Sequence, residues 1–238
     1  MCIIIANKKG ILSKQTLKEC WNNNRDGGGL AYVENGIIKT YHSLKSFNGL
    51  YNKYTHIKKQ FGDNKKVLLH FRITSAGETN KINLHPFNVN ENLVFAHNGT
   101  IYQFTKDKKL SDTILFNEYM LKQLPKDFYK NSAIKDLIEV YIEHSKLVFL
   151  DNMDKFYIFN DSYGIEDGGN WYSNSSYKPY ISALNQTKGR YKLSKWKEEQ
   201  EEEQHPSEYC SFNCDDCGFI DCEYHADYKE EESKWNIY

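Results

Sequence analysis

The order of strand-like and helix-like segments constrains the fold of this chain most. Short apolar runs typical of strands, interrupted by one short helical segment, extend to residue 99. Two amphipathic helical segments follow, and strand-like runs return at residue 146. This order lacks the regular strand–helix alternation that builds a parallel sheet. It therefore predicts an α+β fold in which antiparallel sheets are covered by helices.

Local signals in the first third of the chain predict individual elements. Residues 2–6 form a continuous apolar run, typical of a strand that is buried on both faces. A short helix is expected after Ser13, which is a suitable N-cap. Asn35 and Gly36 separate two β-prone runs, and this pair suits the primed turn of a β-hairpin.

Comparable signals continue through the middle of the chain. Residues 65–73 and 91–99 read as two further strands, each ending in a polar stretch. Ser111 and Ser132 are expected to cap the two amphipathic helices, over residues 112–124 and 133–144. A second hairpin is predicted to turn at residues 151–154. The polar ends of the two strands are where rigid elements commonly hold functional groups on loops.

Composition and charge exclude several classes of protein. The formal net charge of −1 provides no basic field, which argues against nucleic acid as a partner. No apolar run approaches the roughly 20 residues of a membrane span, and no signal-peptide pattern is present. We therefore expect a cytoplasmic protein without a membrane or nucleic-acid partner. Its abundant Asn, Lys and Tyr are compatible with a phage gene, for which the host cytoplasm is the expected location.

A cysteine directly after Met1 is the chain's most specific chemical feature. Removal of Met1 would give Cys2 both a thiol and a free α-amine, a nucleophile together with a base. Cleavage of an amide also needs donors for the developing oxyanion. A free amino acid as substrate would further need an arginine for its carboxylate and a carboxylate for its ammonium.

Residues suited to each of these tasks occur at strand ends and at a helix start. Arg72 follows one predicted strand, Asn98 and Gly99 end the next, and Asp112 lies in the first turn of a helix. Each has an ordinary structural explanation when taken alone: a surface charge, a turn and a helix cap. Their occurrence together with Cys2 is what favours an amide-cleaving site.

Five sequence blocks resemble the class II glutamine amidotransferases, whose glutaminase domain belongs to the N-terminal nucleophile hydrolases. The blocks are "MC", "NRDGGGLAYV", "HFRITSAG", "INLHPFNVNENLVFAHNGTI" and "SDT". The resemblance implies a four-layer αββα sandwich of two antiparallel sheets. It predicts an amidotransferase domain over residues 2–182, closed by the strand at "WYSNSS", with a charged connector and cysteine-rich tail over residues 183–238.

The resemblance also implies a role for each matching residue. Cys2 would attack the glutamine amide, and its own α-amine would carry the proton. Asn98 and Gly99 would stabilise the oxyanion. Arg72 would bind the substrate carboxylate and Asp112 its ammonium. A γ-glutamyl thioester would form on Cys2, ammonia would leave, and no cofactor would be needed.

The chain departs from the family pattern at several positions. Ser75 stands where many members have a substrate-binding threonine, and Ala76 stands where several have a histidine, so one substrate contact is lost. Arg25 and Asp26 are candidates for ordering the N-terminus. The resemblance assigns His70 and His85 a structural role in holding the two loops, not metal binding.

Residues 183–238 are too few for the synthase domain that consumes ammonia in product-forming members. We therefore expect either a separate ammonia-acceptor subunit or a free-standing amidohydrolase. Two alternatives keep the fold but change the function. One is an N-terminal-cysteine amidohydrolase acting on another amide, and the other is a catalytically silent partner-binding module.

The tail offers a separate candidate for metal binding. Its four cysteines supply enough soft ligands for a tetrahedral structural zinc, although only one gap has the usual two-residue length. The alternative is a loop of reduced, merely clustered thiols. The zinc candidates are Cys210, Cys214, Cys217 and Cys222.

Overall fold

Two antiparallel sheets make up the framework of the protein in a computed structural model that describes residues 2–179. The larger sheet has six strands in the order β3-β2-β4-β1-β10-β9, and the smaller has four in the order β5-β6-β7-β8. The strands are β1 Ile3–Asn7, β2 Gly28–Glu34, β3 Ile37–Ser43, β4 Val67–Phe71, β5 Phe87–Asn90, β6 Leu93–Asn98, β7 Lys146–Asp151, β8 Phe156–Phe159, β9 Ile165–Asp167 and β10 Asn170–Tyr172.

Four α-helices cover these sheets within the described residues. They are α1 Lys14–Asn23, α2 Phe47–Phe61, α3 Asp112–Tyr119 and α4 Ser132–Ile142. Short 3-10 turns occur at Lys81–Asn83, Tyr102–Phe104, Leu121–Gln123, Phe128–Lys130 and Asp161–Tyr163. None of the helices described is long and apolar enough to cross a membrane.

Three apolar clusters fix the order of the layers. The first joins α1 and α2 to the larger sheet, with Tyr54 packed among strand residues such as Leu69. The second lies between the two sheets and contains Ile4 and Val148. The third joins the smaller sheet to α3 and α4, for example through Phe116. The layers therefore run helix, sheet, sheet, helix, and each large apolar side chain fully buried there contributes about 1.5–3 kcal/mol.

The predicted antiparallel sheets and covering helices are confirmed, and so are both hairpins and the helix after Ser13. The Ser13 hydroxyl accepts a hydrogen bond from the Thr16 amide, as expected of an N-cap. Asn35 and Gly36 have φ angles of +51° and +77°, the left-handed pair that a primed turn requires.

Three details of the secondary-structure prediction are wrong. Helix α2 was not predicted at all. The side chain of Asn131, not that of Ser132, caps α4 by accepting bonds from the amides of residues 133 and 134. Helix α3 ends at Tyr119 instead of continuing to residue 124, because a 3-10 turn replaces its last part.

The register around β1 sets up the functional site. Strand β1 lies between β4 and β10, with Ile3 opposite Phe71 and Ile5 opposite Tyr172. Residue 2 is therefore placed beside the residues that follow β4 and β10. The predicted domain boundary at residue 182 and the cysteine-rich tail lie outside the described residues.

Candidate active site

The Cys2 thiol is held at the end of strand β4. Its Sγ lies 3.3 Å from the carbonyl oxygen of Ile73 as a donor and 3.4 Å from the Ile73 amide nitrogen as an acceptor. The antiparallel pairing of β1 and β4 brings these residues together across 71 positions of sequence. The sulfur of a half-buried residue is thus fixed to one strand end by two weak hydrogen bonds.

The electrostatic environment keeps this thiol protonated at neutral pH. Burial raises the pKa of Cys2 above its ordinary value. The hydrogen bond from Ile73 and the positive charge of Arg72 act in the opposite direction, but burial prevails. A thiol in this state needs a nearby base before it can act as a nucleophile.

Five of the six predicted site residues line one small cavity next to Cys2. The cavity has a volume of about 20 Å³, which is space for about one water molecule. Its other walls include Ile73, Ala76 and two histidines. The five predicted residues on its surface are Cys2, Arg72, Ser75, Gly99 and Asp112.

Arg72 is almost fully buried, and its guanidinium is engaged by the loop that follows it. Its Nη1 donates to the Glu78 carbonyl oxygen at 3.0 Å, and its Nη2 donates to the Ala76 carbonyl oxygen at 2.9 Å. A guanidinium carries five N–H donors, so these two bonds leave others for a ligand. The Arg72 guanidinium therefore forms part of the cavity wall and is hydrogen-bonded to the loop that follows it.

Asp112 provides a buried negative charge at the start of α3. Its Oδ2 accepts a bond of 2.7 Å from the Ile101 amide, and its Oδ1 accepts one of 2.8 Å from the Thr113 amide. The first turn of a helix favours a carboxylate because unpaired amides and the helix dipole point toward it. Ser111 caps this helix as predicted, with its hydroxyl accepting from the Ile114 amide.

Gly99 and Asn98 occupy different places at the end of strand β6. Gly99 has a φ of +147° and lines the cavity, and a Cβ at this position would collide with Ser145. Asn98 is buried but does not line the cavity. Its Nδ2 donates to the Ser173 hydroxyl at 2.6 Å, and its Oδ1 has no partner among residues 2–179.

The loop over residues 73–80 is anchored from two sides. The Thr74 amide donates to Asp26 Oδ2 at 2.7 Å. From the other side, Asn83 Nδ2 donates to the carbonyl oxygens of Glu78 and Lys109. Asp26 therefore binds this loop directly, whereas Arg25 is exposed and donates to Asn22.

Buried histidines form the back of the cavity. His85 and His97 line it, and the His70 ring packs against His85 with a centroid distance of 4.1 Å. The His97 amide donates to His85 Nδ1, which must therefore be unprotonated. Burial lowers the pKa of all three imidazoles, so they are neutral at physiological pH. No group of three or more metal-ligating side chains suited to a metal occurs in the described part of the chain.

Two further site residues were not predicted as such. Ser173 and Asn174 follow strand β10 and contact the Cys2–Asn98 side of the site. The only sequence signal for them is a polar run directly after an apolar strand. Their contacts depend on pairing across about 170 residues, which no local pattern reveals.

Comparison with known proteins gives a limited set of similarities. No protein-family model matches the chain, and no curated protein does. Its structure is similar to glutamine phosphoribosylpyrophosphate amidotransferase from B. subtilis complexed with ADP and GMP, with a TM-score of 0.41 and 13% identity. That match covers 72% of this chain and 41% of the B. subtilis chain, so this chain spans less than half of that protein.

A second solved structure is similar to about the same degree. It is a glutamine aminotransferase class-II domain protein from Silicibacter pomeroyi, with a TM-score of 0.40 and 14% identity. The match covers 72% of this chain and 87% of the other.

Proposed function

We propose that this domain hydrolyses the side-chain amide of glutamine with Cys2 as the nucleophile. In this proposal it is the glutaminase domain of a class II glutamine amidotransferase with an N-terminal nucleophile hydrolase fold. The observation that carries the proposal is the shared cavity of Cys2, Arg72 and Asp112. These residues come from a strand, a strand end and a helix start, and each suits a different part of one substrate.

The charges in the cavity fit a free α-amino acid. Arg72 offers its remaining N–H groups to the substrate carboxylate, and Asp112 accepts from the substrate ammonium. Both side chains are nearly buried, at 3% and 4% exposure, so their fields are poorly screened by solvent. A substrate lacking either charge would leave one of them without a counterion, which is the basis for discrimination.

The chemistry follows from Cys2 and from the two residues that end strand β6, Asn98 and Gly99. After removal of Met1, the Cys2 α-amine takes the thiol proton as Sγ attacks the amide carbon of glutamine. The Gly99 amide and the Asn98 side chain stabilise the oxyanion. The amine then returns the proton to the leaving nitrogen and ammonia departs, which leaves a γ-glutamyl thioester on Cys2. Water hydrolyses this thioester to glutamate and restores the thiol.

Ile73, Ser75 and Ala76 of the loop over residues 73–80 line the cavity, so a bound substrate would contact this loop. The bonds from Arg72 to the loop carbonyls can remain in place, because the substrate carboxylate would bind N–H groups that these two bonds leave unused.

In this proposal the released ammonia is passed on to an acceptor. We propose that the acceptor lies on a separate synthase subunit. A free-standing amidohydrolase would instead release the ammonia to solvent. Purification of the native protein with and without glutamine, followed by identification of any co-purifying chain, separates these two outcomes.

The proposal is tested with purified full-length protein. Intact mass should show loss of Met1, glutamine should be converted to glutamate, and a γ-glutamyl diazoketone should add once, to Cys2. Cys2→Ala should lower turnover at least about 10³-fold, because the nucleophile is absent. Cys20→Ala is the matched control, since Cys20 is buried in the core away from the cavity.

Each other result has a definite meaning. Diazoketone labelling without glutamine turnover indicates another amide as the substrate. Retained Met1 with no labelling indicates a catalytically silent binding module. Glutaminase activity that survives in Cys2→Ala contradicts the proposed nucleophile.

A further inference from the structure

We infer that Ser173 and Asn174 act together as a positioning clamp for the nucleophile and the oxyanion-binding amide. The inference rests on the proposed function and extends it to two residues outside the cavity. Both follow strand β10, and both bond to groups at the start of the chain. Neither touches the cavity, so they act through Cys2 and Asn98.

Ser173 joins strand β1 to the end of strand β6, and thus joins the two sheets. Its hydroxyl oxygen accepts from the Ile4 amide at 2.8 Å and from Asn98 Nδ2 at 2.6 Å. Its own amide donates to the Ile4 carbonyl oxygen at 3.0 Å. The side chain is fully buried, so water does not compete for these bonds.

The bond from Asn98 to Ser173 determines what the amide can offer a substrate. A primary amide has two N–H groups, and one of them is committed to Ser173. The second N–H remains available to a developing oxyanion, with its direction set by the first. A half-turn of the amide would instead place Oδ1 on the Ser173 hydroxyl and free both N–H groups. In either orientation the serine oxygen holds the amide in place.

Asn174 restrains Cys2, the proposed nucleophile. Its Nδ2 donates to the Cys2 carbonyl oxygen at 2.7 Å. Its Oδ1 accepts from the Ser176 amide and hydroxyl, and this fixes which atom of the amide faces Cys2. The bond restrains the backbone of the residue that carries both the thiol and, after processing, the α-amine. A free chain end would otherwise sample many orientations.

Ser173 and Asn174 thus hold the Asn98 amide and the Cys2 nucleophile, and both of these groups must reach the amide carbon of one substrate. Displacement of such groups by about 1 Å can cost a hundredfold in rate. The recognition of the substrate by Arg72 and Asp112 involves neither Ser173 nor Asn174. Loss of the clamp is therefore expected to lower kcat with little change in KM.

The test compares Ser173→Ala, Asn174→Ala and Ser43→Ala in the processed full-length protein. Ser43 is also a buried serine, but within residues 2–179 its hydroxyl bonds only inside its own turn, to Ser46. Active sites are titrated with the diazoketone so that kcat refers to competent enzyme only. We expect Ser173→Ala to lower kcat about 10- to 100-fold with KM within about threefold, and Ser43→Ala to change both by less than about twofold. Ser173→Thr keeps the hydroxyl and should recover most of the loss.

Asn174→Ala is expected to lower kcat about tenfold, because only the nucleophile is released. Amide hydrogen exchange gives a measure that does not depend on activity: the Ile4 amide should exchange at least about tenfold faster in Ser173→Ala and not in Asn174→Ala.

The possible failures can be told apart. Wild-type glutaminase activity with an unchanged kcat in Ser173→Ala overturns this inference alone. A kcat loss matched by Ser43→Ala, or accompanied by a proportional rise in KM, also overturns it. Absence of glutaminase activity in processed wild-type protein overturns the proposed function and the catalytic role of the clamp with it. Unchanged exchange at Ile4 in Ser173→Ala shows that the bond itself does not restrain the strand.

Discussion

The site has two groups of residues, a nucleophile end with Cys2 and Asn98 and a recognition end with Arg72 and Asp112, and they are held in different ways. At the nucleophile end, Cys2 and Asn98 are held by strand pairing and by side chains that bond strands to one another. At the recognition end, Arg72 and Asp112 are held by backbone carbonyls and amides of loops and of a helix start. The first end depends on contacts between distant parts of the chain, and the second mostly on contacts between neighbours.

This difference separates the two tasks of the proposed enzyme. The reacting groups need a fixed geometry, and rigid strands provide it. The recognition groups must accept a substrate and release a product, and the N–H groups of Arg72 that the loop leaves unbonded are available for this. We therefore expect mutations at the nucleophile end to change kcat more than KM, and mutations at the recognition end to change KM more than kcat.

The largest effect of the following three variants is expected from Asp112→Asn. Removal of the charge that pairs with the substrate ammonium should raise KM for glutamine about 30-fold, equivalent to about 2 kcal/mol, with a smaller change in kcat. Steady-state kinetics and equilibrium binding of glutamate both measure this loss. If kcat fell more than KM rose, Asp112 would belong with the reacting groups, and the proposed division between the nucleophile end and the recognition end would be wrong.

Asp151→Asn is the matched control for this change. Asp151 is also a buried carboxylate that accepts backbone amides, from Met153 and Lys155, but it lies at the β7–β8 turn away from the cavity. Both variants are expected to lose some stability, because each loses an acceptor for buried N–H groups. Only Asp112→Asn should raise KM.

The same difference explains what the sequence could predict about the site. Arg72, Gly99 and Asp112 stand in short blocks whose local structure is a strand end or a helix cap, so their places were predictable. Ser173 bonds to residues 75 and 169 positions away, and nothing in its own neighbourhood indicates either partner. The bonds from the Arg72 guanidinium to its own loop were not predicted either, because no sequence pattern indicates them.

Helix α2 shows a different kind of failure. Leu50, Tyr54 and Ile57 have the spacing of one helical face, and all three are buried against the larger sheet. Ser46 caps the helix by accepting from the Gly49 amide. The signal was present but masked by Gly49 and by aromatic and asparagine residues of low helix propensity. Packing of the apolar face outweighed propensity here.

An intermediate effect is expected at the neutral histidines behind the cavity, where His70 packs against His85. The pKa of His70 is lowered by burial and by the charge of Arg72, among other groups, and neither ring nitrogen makes a normal hydrogen bond within residues 2–179. An unfolded chain binds a proton at this residue below about pH 6.5, whereas the folded protein does not. The free energy of unfolding should therefore fall as the pH falls below this value.

His70→Leu should reduce that dependence by about 1 kcal/mol between pH 6.5 and 5.5. The measurement is urea denaturation of wild type and variant at several pH values. The change in the free energy of unfolding with pH is then compared between the two proteins. His144→Leu serves as the control, because His144 is exposed and its ring packs against Tyr163, away from the cavity. An unchanged slope in His70→Leu would mean that this imidazole does take up a proton in the folded protein.

The smallest effect is expected from Ser75→Ala at the recognition end. Ser75 is exposed on the loop over residues 73–80 and lines the cavity, so its hydroxyl can contribute one solvent-accessible hydrogen bond to a bound substrate. A bond of this kind is worth about 0.5 kcal/mol, which corresponds to a two- to threefold rise in KM with kcat unchanged. Ser75→Thr keeps the hydroxyl and should match wild type. Equal KM values for all three proteins would exclude the hydroxyl from recognition, whereas a fall in kcat would show that the loop also orders the nucleophile end.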